Sequence, residues 1–126
     1  MATIKSSYTD LEQSKKLAEI LLLESADMYY ILMPDGTYNH FPLNGRKTEL
    51  AENTDIPCWS LAALLGVLPK NLNIGRPSLE SNYKGYYWIQ YYDEFMKPNN
   101  YKTKCFNNPI DACVAMIEKL HELKIL

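Results

Sequence analysis

The sequence lacks the signatures of the common enzyme classes. It contains no P-loop, no dinucleotide-binding fingerprint, no HExxH zinc motif and no nucleophile elbow. Its five glycines are scattered, and none opens a helix after a strand, as a phosphate-binding loop requires. Of its two histidines, neither His40 nor His121 lies at metal-ligand spacing from another candidate ligand. We therefore expect no metal site and no cofactor, and we favour a protein that is not an enzyme.

Long apolar segments are also missing. An apolar run such as Ile20–Leu23 is far shorter than the roughly 20 residues of a membrane-spanning helix, and residues 1–5 lack the apolar stretch of a signal peptide. The three cysteines, Cys58, Cys105 and Cys113, are odd in number and form no CxxC pair. This pattern favours free thiols in a reducing compartment. Together these features predict a cytoplasmic protein that does not contact membranes.

The composition is typical of globular proteins. Of the 126 residues, 47% are apolar and 22% are charged, which argues against disorder. The length predicts a single α+β domain over residues 1–126, with residues 1–8 as a loose leader. A net charge of −2 provides no general attraction to phosphates or anionic lipids. Nucleic acid is therefore not a favoured partner.

A helix and a hairpin are predicted in the first third of the chain. Thr9 and Glu12 have the spacing of a capping box, which starts a helix that reaches about Leu23. Strands Met28–Met33 and Tyr38–Leu43 flank a Pro-Asp-Gly-Thr turn, in which proline presets φ and glycine permits a positive φ. The side chains of the first helix that helical spacing places in the core are Leu11, Leu17, Ala18 and Leu21.

Two further helices are predicted from their caps. Ser60 is the N-cap of a short, apolar helix that Pro69 terminates. Asn108 caps the last helix, with proline at its first position, and this helix runs nearly to Leu126. In the short helix, the helical spacing places Leu61, Leu64, Leu65 and Leu68 in the core. In the last helix, it places Cys113, Met116, Ile117, Leu120 and Leu123 there.

A second hairpin completes the predicted fold. Residues 44–55 and Asn71–Asn82 are polar and are predicted to be loops, whereas Tyr83–Asp93 and Tyr101–Phe106 have the content of strands. The element order is then α-β-β-α-β-β-α. This order predicts an α+β fold with one small antiparallel sheet of about four strands, made of two hairpins and covered by three helices on at least one face.

Aromatic side chains on the third predicted strand are the most prominent candidate site. Of the ten tyrosines, Tyr86 and Tyr92 should share a strand face with Trp88. If the last strand pairs beside it, Lys102 and Lys104 join that face. Such a patch suits three situations: burial under a helix, contact with a protein partner, or stacking of unpaired nucleic-acid bases.

Cys58 is the candidate nucleophile if the protein is an enzyme. It lies just before a helix, whose dipole could lower the pKa of the thiol. Cysteine catalysis also needs a histidine nearby, and His40 is the residue that the fold could bring there. Because no histidine is close to Cys58 in the sequence, we rank this hypothesis third.

Three segments resemble a family of small, uncharacterised proteins from gut Bacteroidetes bacteria and their phages or prophages. They are Tyr8–Ala18, Ile56–Leu65 and Asn108–Leu126. The family has no assigned activity, so the resemblance implies no functional residue. It implies a bacterial or prophage cytosolic setting and an accessory role.

Our leading hypothesis from the sequence is a non-enzymatic protein-interaction module. It would bind a protein partner or a second copy of itself through the sheet aromatics or the apolar second helix. The alternative is a binder of small ligands or single-stranded nucleic acid that uses Tyr86, Trp88 and Tyr92 as a stacking platform.

Overall fold

The computed structural model describes residues 7–42 and 55–126. In this part of the chain there are two compact units, one ending at Ala63 and the other running from Leu64 to Leu126. The predicted loop before Asp55 and most of the predicted leader lie outside the described residues. The expectation of a single domain over residues 1–126 stays a prediction.

The described residues of the first unit include an α-helix and a three-stranded antiparallel sheet. Helix α1 is Leu11–Ile20, and strands β1, β2 and β3 are Met28–Leu32, Tyr38–Pro42 and Ile56–Cys58. The strand order is β2-β1-β3, so the proline-ended β2 is an edge strand. The predicted hairpin is confirmed, with Leu32 opposite Tyr38 across the turn. Strand β3 was not predicted, because three residues that include a proline provide too little strand signal.

The start of α1 differs from the prediction by one residue. Asp10, not Thr9, is the N-cap, and it forms the capping box with Gln13. The helix ends at Ile20 rather than near Leu23, because the backbone extends at Leu21 and then forms a short 3-10 helix, Leu23–Ser25. Of the four residues predicted to face the core, Leu17 alone is fully buried.

Thr9 is unavailable as a cap because it belongs to the core of the first unit. Its side chain is fully buried, and its hydroxyl oxygen lies 2.7 Å from Ser14 Oγ and accepts a bond of 3.1 Å from the Trp59 backbone N–H. Its carbonyl accepts from the hydroxyl of Tyr30 at 2.7 Å. The indole N–H of Trp59, also fully buried, donates to Ser25 Oγ. These hydrogen bonds meet the requirement that buried polar groups be paired.

The second unit is an antiparallel meander followed by a helix. Strands β4, β5 and β6 are Arg76–Ser81, Tyr87–Tyr92 and Pro98–Lys102, in that order across the sheet, and helix α3 is Pro109–Glu122. Helix α2, Leu61–Val67, contains the boundary between the two units. The α+β class is confirmed. The described residues form two three-stranded sheets, however, rather than one sheet of about four strands.

The strand bounds in the second unit correct three predictions. Strand β4 lies in the segment predicted as a loop, because its polar residues and its proline conceal the alternation. Strand β5 begins at Tyr87 instead of Tyr83, since Asn82–Tyr86 form the turn that Gly85 permits with its φ of +85°. Strand β6 begins at Pro98 and ends at Lys102, earlier than the predicted Tyr101–Phe106.

The caps of α2 and α3 are confirmed. Ser60 Oγ accepts from the backbone N–H of Ala63, and Asn108 Oδ1 accepts from that of Ile110 at 2.6 Å. The buried residues of α3 include four of the five predicted ones, and the exception is Leu123, which is 52% exposed. Helix α3 ends at Glu122, short of the prediction, because Lys124 adopts a φ of +60°.

Gly75 allows the loop before β4 to approach β5. Its φ is +87°, and a Cβ at this position would overlap the backbone carbonyl of Tyr92. Gly75 and Asn71 also exchange two backbone hydrogen bonds, of 2.7 and 3.3 Å. The side-chain amide of Asn99 donates to the carbonyl of Ile74 at 2.9 Å. The loop is therefore held against the meander by backbone contacts that a side chain would disrupt.

We expect Gly75→Ala to destabilise the protein by at least about 2 kcal/mol. The left-handed conformation alone costs an L-residue about 1–2 kcal/mol, and the overlap with Tyr92 adds to this. Gly66→Ala is the matched control, since a Cβ at Gly66, in α2, meets nothing within 4 Å. Alanine there should stabilise by up to about 1 kcal/mol through its helix propensity. Urea unfolding monitored by tryptophan fluorescence measures the free energy of unfolding of both variants. Equal changes in the two variants would contradict the close approach of Gly75 to Tyr92.

Candidate binding surface

The two faces of strand β5 differ: one is covered by α3, and the other carries aromatic side chains. Ile89 and Tyr91 are fully buried, and α3 packs against this strand. Because side chains alternate along a strand, Trp88 and Tyr92 lie on the opposite face and are partly exposed. The predicted division of this strand into two faces is therefore observed.

Glu80 connects the two aromatic side chains. It lies on β4 directly opposite Trp88. Its Oε1 accepts a bond of 3.2 Å from the indole N–H of Trp88 and one of 2.7 Å from the hydroxyl of Tyr92. The two rings are thus fixed by one carboxylate oxygen. Glu80 was not among the predicted site residues, because its segment was predicted to be a loop. A partial alternation, Ser78 and Glu80 against Pro77 and Leu79, is the one weak strand signal in this segment.

Lys102 joins this face from β6. Its backbone lies opposite Gln90, and its ammonium is 5.9 Å from the centre of the Trp88 ring, a distance at which a cation is attracted to the ring face. Its carbonyl accepts a hydrogen bond from Lys119 Nζ at 3.0 Å. We refer to Glu80, Trp88, Tyr92 and Lys102 as the aromatic face.

Gln90, at the centre of β5, fixes the pairing with β6. It is 6% exposed, and its side-chain amide donates to the carbonyls of Tyr91 and Asn99 at 2.8 and 2.9 Å. The β5–β6 register shifts at this point, as in a β-bulge. The amide of Gln90 therefore binds backbone carbonyl groups where the strand pairing is irregular.

Two predicted site residues lie outside the strands. Tyr86 belongs to the turn before β5 and is 44% exposed. Lys104 is exposed and follows the end of β6. The strand ends early because Thr103 turns its side chain inward, where Oγ1 accepts from the backbone N–H of Ile89 at 3.0 Å. Lys104 thus lies beyond the end of the strand that carries Lys102.

Apolar side chains are exposed at both ends of this sheet. Tyr83, in the β4–β5 turn, is 94% exposed. Phe95 and Met96, in the β5–β6 turn, are 73% and 65% exposed, and Leu72, in the loop before β4, is 89% exposed. Leu72, Phe95 and Met96 lie at the end of the sheet where β4 begins, and Tyr83 lies at the opposite end.

The surroundings of Cys58 do not resemble those of a catalytic thiol. Cys58 is fully buried, and its sulfur lies 3.4 Å from the carbonyl oxygen of Thr9. Burial raises the pKa of this thiol, the opposite of what a reactive thiolate needs. His40 instead lies 2.9 Å from the hydroxyl of Tyr8 through Nδ1, and Nδ1 of His121 is 3.2 Å from the carbonyl of Leu126.

Cys105 should be the one thiol of the native protein that reacts rapidly with an aromatic disulfide reagent. It is exposed, whereas Cys58 and Cys113 are buried, and burial raises the pKa of Cys113 to about 12. Absorbance of the released thiolate at pH 8 should show one fast equivalent. Cys105→Ser should remove it, and the two buried thiols should react after unfolding in guanidinium chloride. Rapid reaction of Cys58 in the folded Cys105→Ser variant would contradict this description.

Glu80 also affects the ionisation of Tyr92. The hydrogen bond to the carboxylate, followed by burial and the nearby charge, raises the pKa of the Tyr92 phenol. The folded state therefore favours the neutral phenol. The stabilisation of the folded state by this hydrogen bond is present below a pH of about 10 and is lost as the pH rises above that value.

We expect Glu80→Gln to lower the pKa of Tyr92, since glutamine carries no charge. Titration of the Tyr92 ring resonance by NMR, assigned with Tyr92→Phe, measures this value. Glu94→Gln, on a carboxylate in the turn after β5, is the charge-matched control and should leave the pKa of Tyr92 nearly unchanged. An unaltered value in Glu80→Gln would contradict the proposed bond.

In residues 7–42 and 55–126, no group of three or more His, Cys, Asp or Glu side chains is arranged to hold a metal ion. None of the helices described there combines the length and apolar content needed to cross a membrane. Comparisons with models of protein families, with curated proteins and with solved structures found no match.

Proposed function

We propose that this protein is a non-enzymatic protein-interaction module that binds its partner through the aromatic face. The observation that carries the proposal is the attachment of Trp88 and Tyr92 to one oxygen of Glu80. Tryptophan and tyrosine are the residues most enriched among those that dominate binding energy. Rings that are already fixed lose little conformational entropy on binding.

The neighbourhood of the aromatic face supports the same function. Exposed side chains flank strand β5 in the turns at its two ends, Tyr83 and Tyr86 in one and Phe95 and Met96 in the other. A contact surface usually combines aromatic anchors with a polar or charged rim, and Lys102 supplies a charge beside Trp88. The apolar helix α2 is a weaker candidate, because Leu64 and Leu68 are buried.

Single-stranded nucleic acid is the second candidate ligand. It is favoured by one observation, the position of the Lys102 ammonium beside the Trp88 ring, because such proteins combine stacking rings with cations. The Glu80 carboxylate lies between Trp88 and Tyr92, however, where it would repel phosphates, and the net charge is −2. We therefore rank a protein partner above nucleic acid.

We further propose a cytoplasmic setting and an accessory role in a bacterium or its prophage. Cys58, Cys105 and Cys113 are free thiols, which suits a reducing compartment. The bacterial or prophage setting is what the family resemblance implies.

A photo-crosslinking amino acid placed at Tyr86 tests the proposed function. Tyr86 borders the aromatic face and is exposed, so substitution there should leave the fold intact. In living cells of the source organism, illumination should produce a discrete protein adduct. Trp88→Ala should reduce its yield at least tenfold, because loss of a central aromatic costs about 2 kcal/mol or more. Light scattering establishes whether the partner is a second copy.

The control places the same crosslinker at Glu19, an exposed position on α1. Identical adducts from both positions, or none from Tyr86, would contradict a specific surface. A Trp88→Ala variant that circular dichroism shows to be folded, but that still forms the Tyr86 adducts, would also contradict a specific surface. If oligonucleotides rather than proteins were crosslinked, and Trp88→Ala abolished this, the second candidate would replace the first.

A further inference from the structure

A cleft opens at the Tyr92 end of the β4–β6 sheet. Its volume is about 390 Å³, within the range of pockets that hold small organic molecules. One wall is the loop leading into β4, and the other is the end of β5 with the turn that follows it. The lining residues are Lys70, Asn71, Leu72, Gly75, Arg76, Tyr92, Asp93 and Glu94.

Hydrogen bonds fix the backbone beneath the cleft. Asn71 Oδ1 accepts from the backbone N–H groups of Asn73 and Ile74 at 2.8 and 3.0 Å, which holds the loop in a defined turn. Gly75 brings this loop against the Tyr92 carbonyl. The turn after β5 is held by Asp93, whose Oδ1 accepts from the backbone N–H groups of Phe95 and Lys97. These hydrogen bonds therefore hold the backbone beneath the cleft.

The first wall carries two cations, Lys70 and Arg76, both exposed. Nη2 of Arg76 lies 3.9 Å from the sulfur of Met96, which is a weak acceptor. A guanidinium in this situation keeps its planar set of donors available for a carboxylate, which it can bind through two parallel hydrogen bonds.

The second wall carries two carboxylates. Asp93 uses Oδ1 in its turn, so Oδ2 is not needed there. Glu94 follows it in the same turn and is exposed. The cleft is thus lined by charges of both signs, with the Tyr92 ring and the exposed Leu72 as apolar surface beside them.

We infer that this cleft binds a small zwitterion with an apolar side group, of about the size of a dipeptide with free termini. The carboxylate of the ligand pairs with Arg76 and Lys70, its ammonium pairs with Asp93 and Glu94, and its apolar group contacts Tyr92 and Leu72. A purely anionic ligand is disfavoured because Asp93 and Glu94 repel it, and a purely cationic one because Lys70 and Arg76 repel it.

Calorimetric titration with alanyl-phenylalanine tests the inference. The free dipeptide should bind, and its N-acetylated form and its C-terminal amide should each bind about tenfold more weakly or worse, because each loses one charge-assisted contact. Chemical-shift changes of the Gly75 and Tyr92 backbone amides should locate the ligand. Arg76→Gln should weaken binding of the free dipeptide by about tenfold.

Lys104→Gln is the matched control, since it removes one positive charge from the same unit outside the cleft, and it should leave the affinity unchanged. Absence of binding at millimolar dipeptide would overturn the inference. So would equal affinities of the free and capped dipeptides, or equal losses in Arg76→Gln and Lys104→Gln. Because Trp88 does not line the cleft, Trp88→Ala should retain dipeptide binding, which separates this test from that of the protein-binding surface.

Discussion

The pairing of β4 with β5 is the interaction on which both candidate sites depend. Its register places Glu80 opposite Trp88 and Arg76 opposite Tyr92. The first of these pairs builds the aromatic face, and the second places a cation and a ring at the mouth of the cleft. A slip of one residue would move every side chain of β4 to the other face, so that Leu79 would replace Glu80 beside the rings. The bonds from Trp88 and Tyr92 to Glu80 favour the observed register.

The two units use polar groups differently. In the first unit, hydroxyl groups and backbone amides meet in the core around Thr9 and Trp59, where each finds a partner. In the second unit, the core beneath β5 is mainly apolar, and the hydrogen bonds of Glu80 lie on the partly exposed face. Hydrogen bonds there cost less desolvation than in the core, and they leave the rings accessible to a partner.

Local signals in the sequence predicted the elements that local interactions stabilise. The caps of α2 and α3 depend on residues within three positions of the helix start, and the hairpin between β1 and β2 depends on a four-residue turn. Strand β4 was missed because Arg76–Ser81 contains proline, two serines and two charged residues, and such a segment becomes a strand by pairing with β5. Thr9 was predicted to be a cap, but tertiary contacts place its hydroxyl in the core, so Asp10 takes that position.

The sequence by itself determined the α+β class and the caps of α2 and α3. It also determined the alternation that places Trp88 and Tyr92 on one face of a strand, with Lys102 on the neighbouring strand. These features follow from backbone geometry and from residues close together in the chain. Only the tertiary structure decided that the described strands form two sheets, that Glu80 binds both rings, and that a cleft lies beside Tyr92. Each of these depends on strand register and on contacts between residues distant in sequence, which are set by the pairing of whole strands and not by any local pattern.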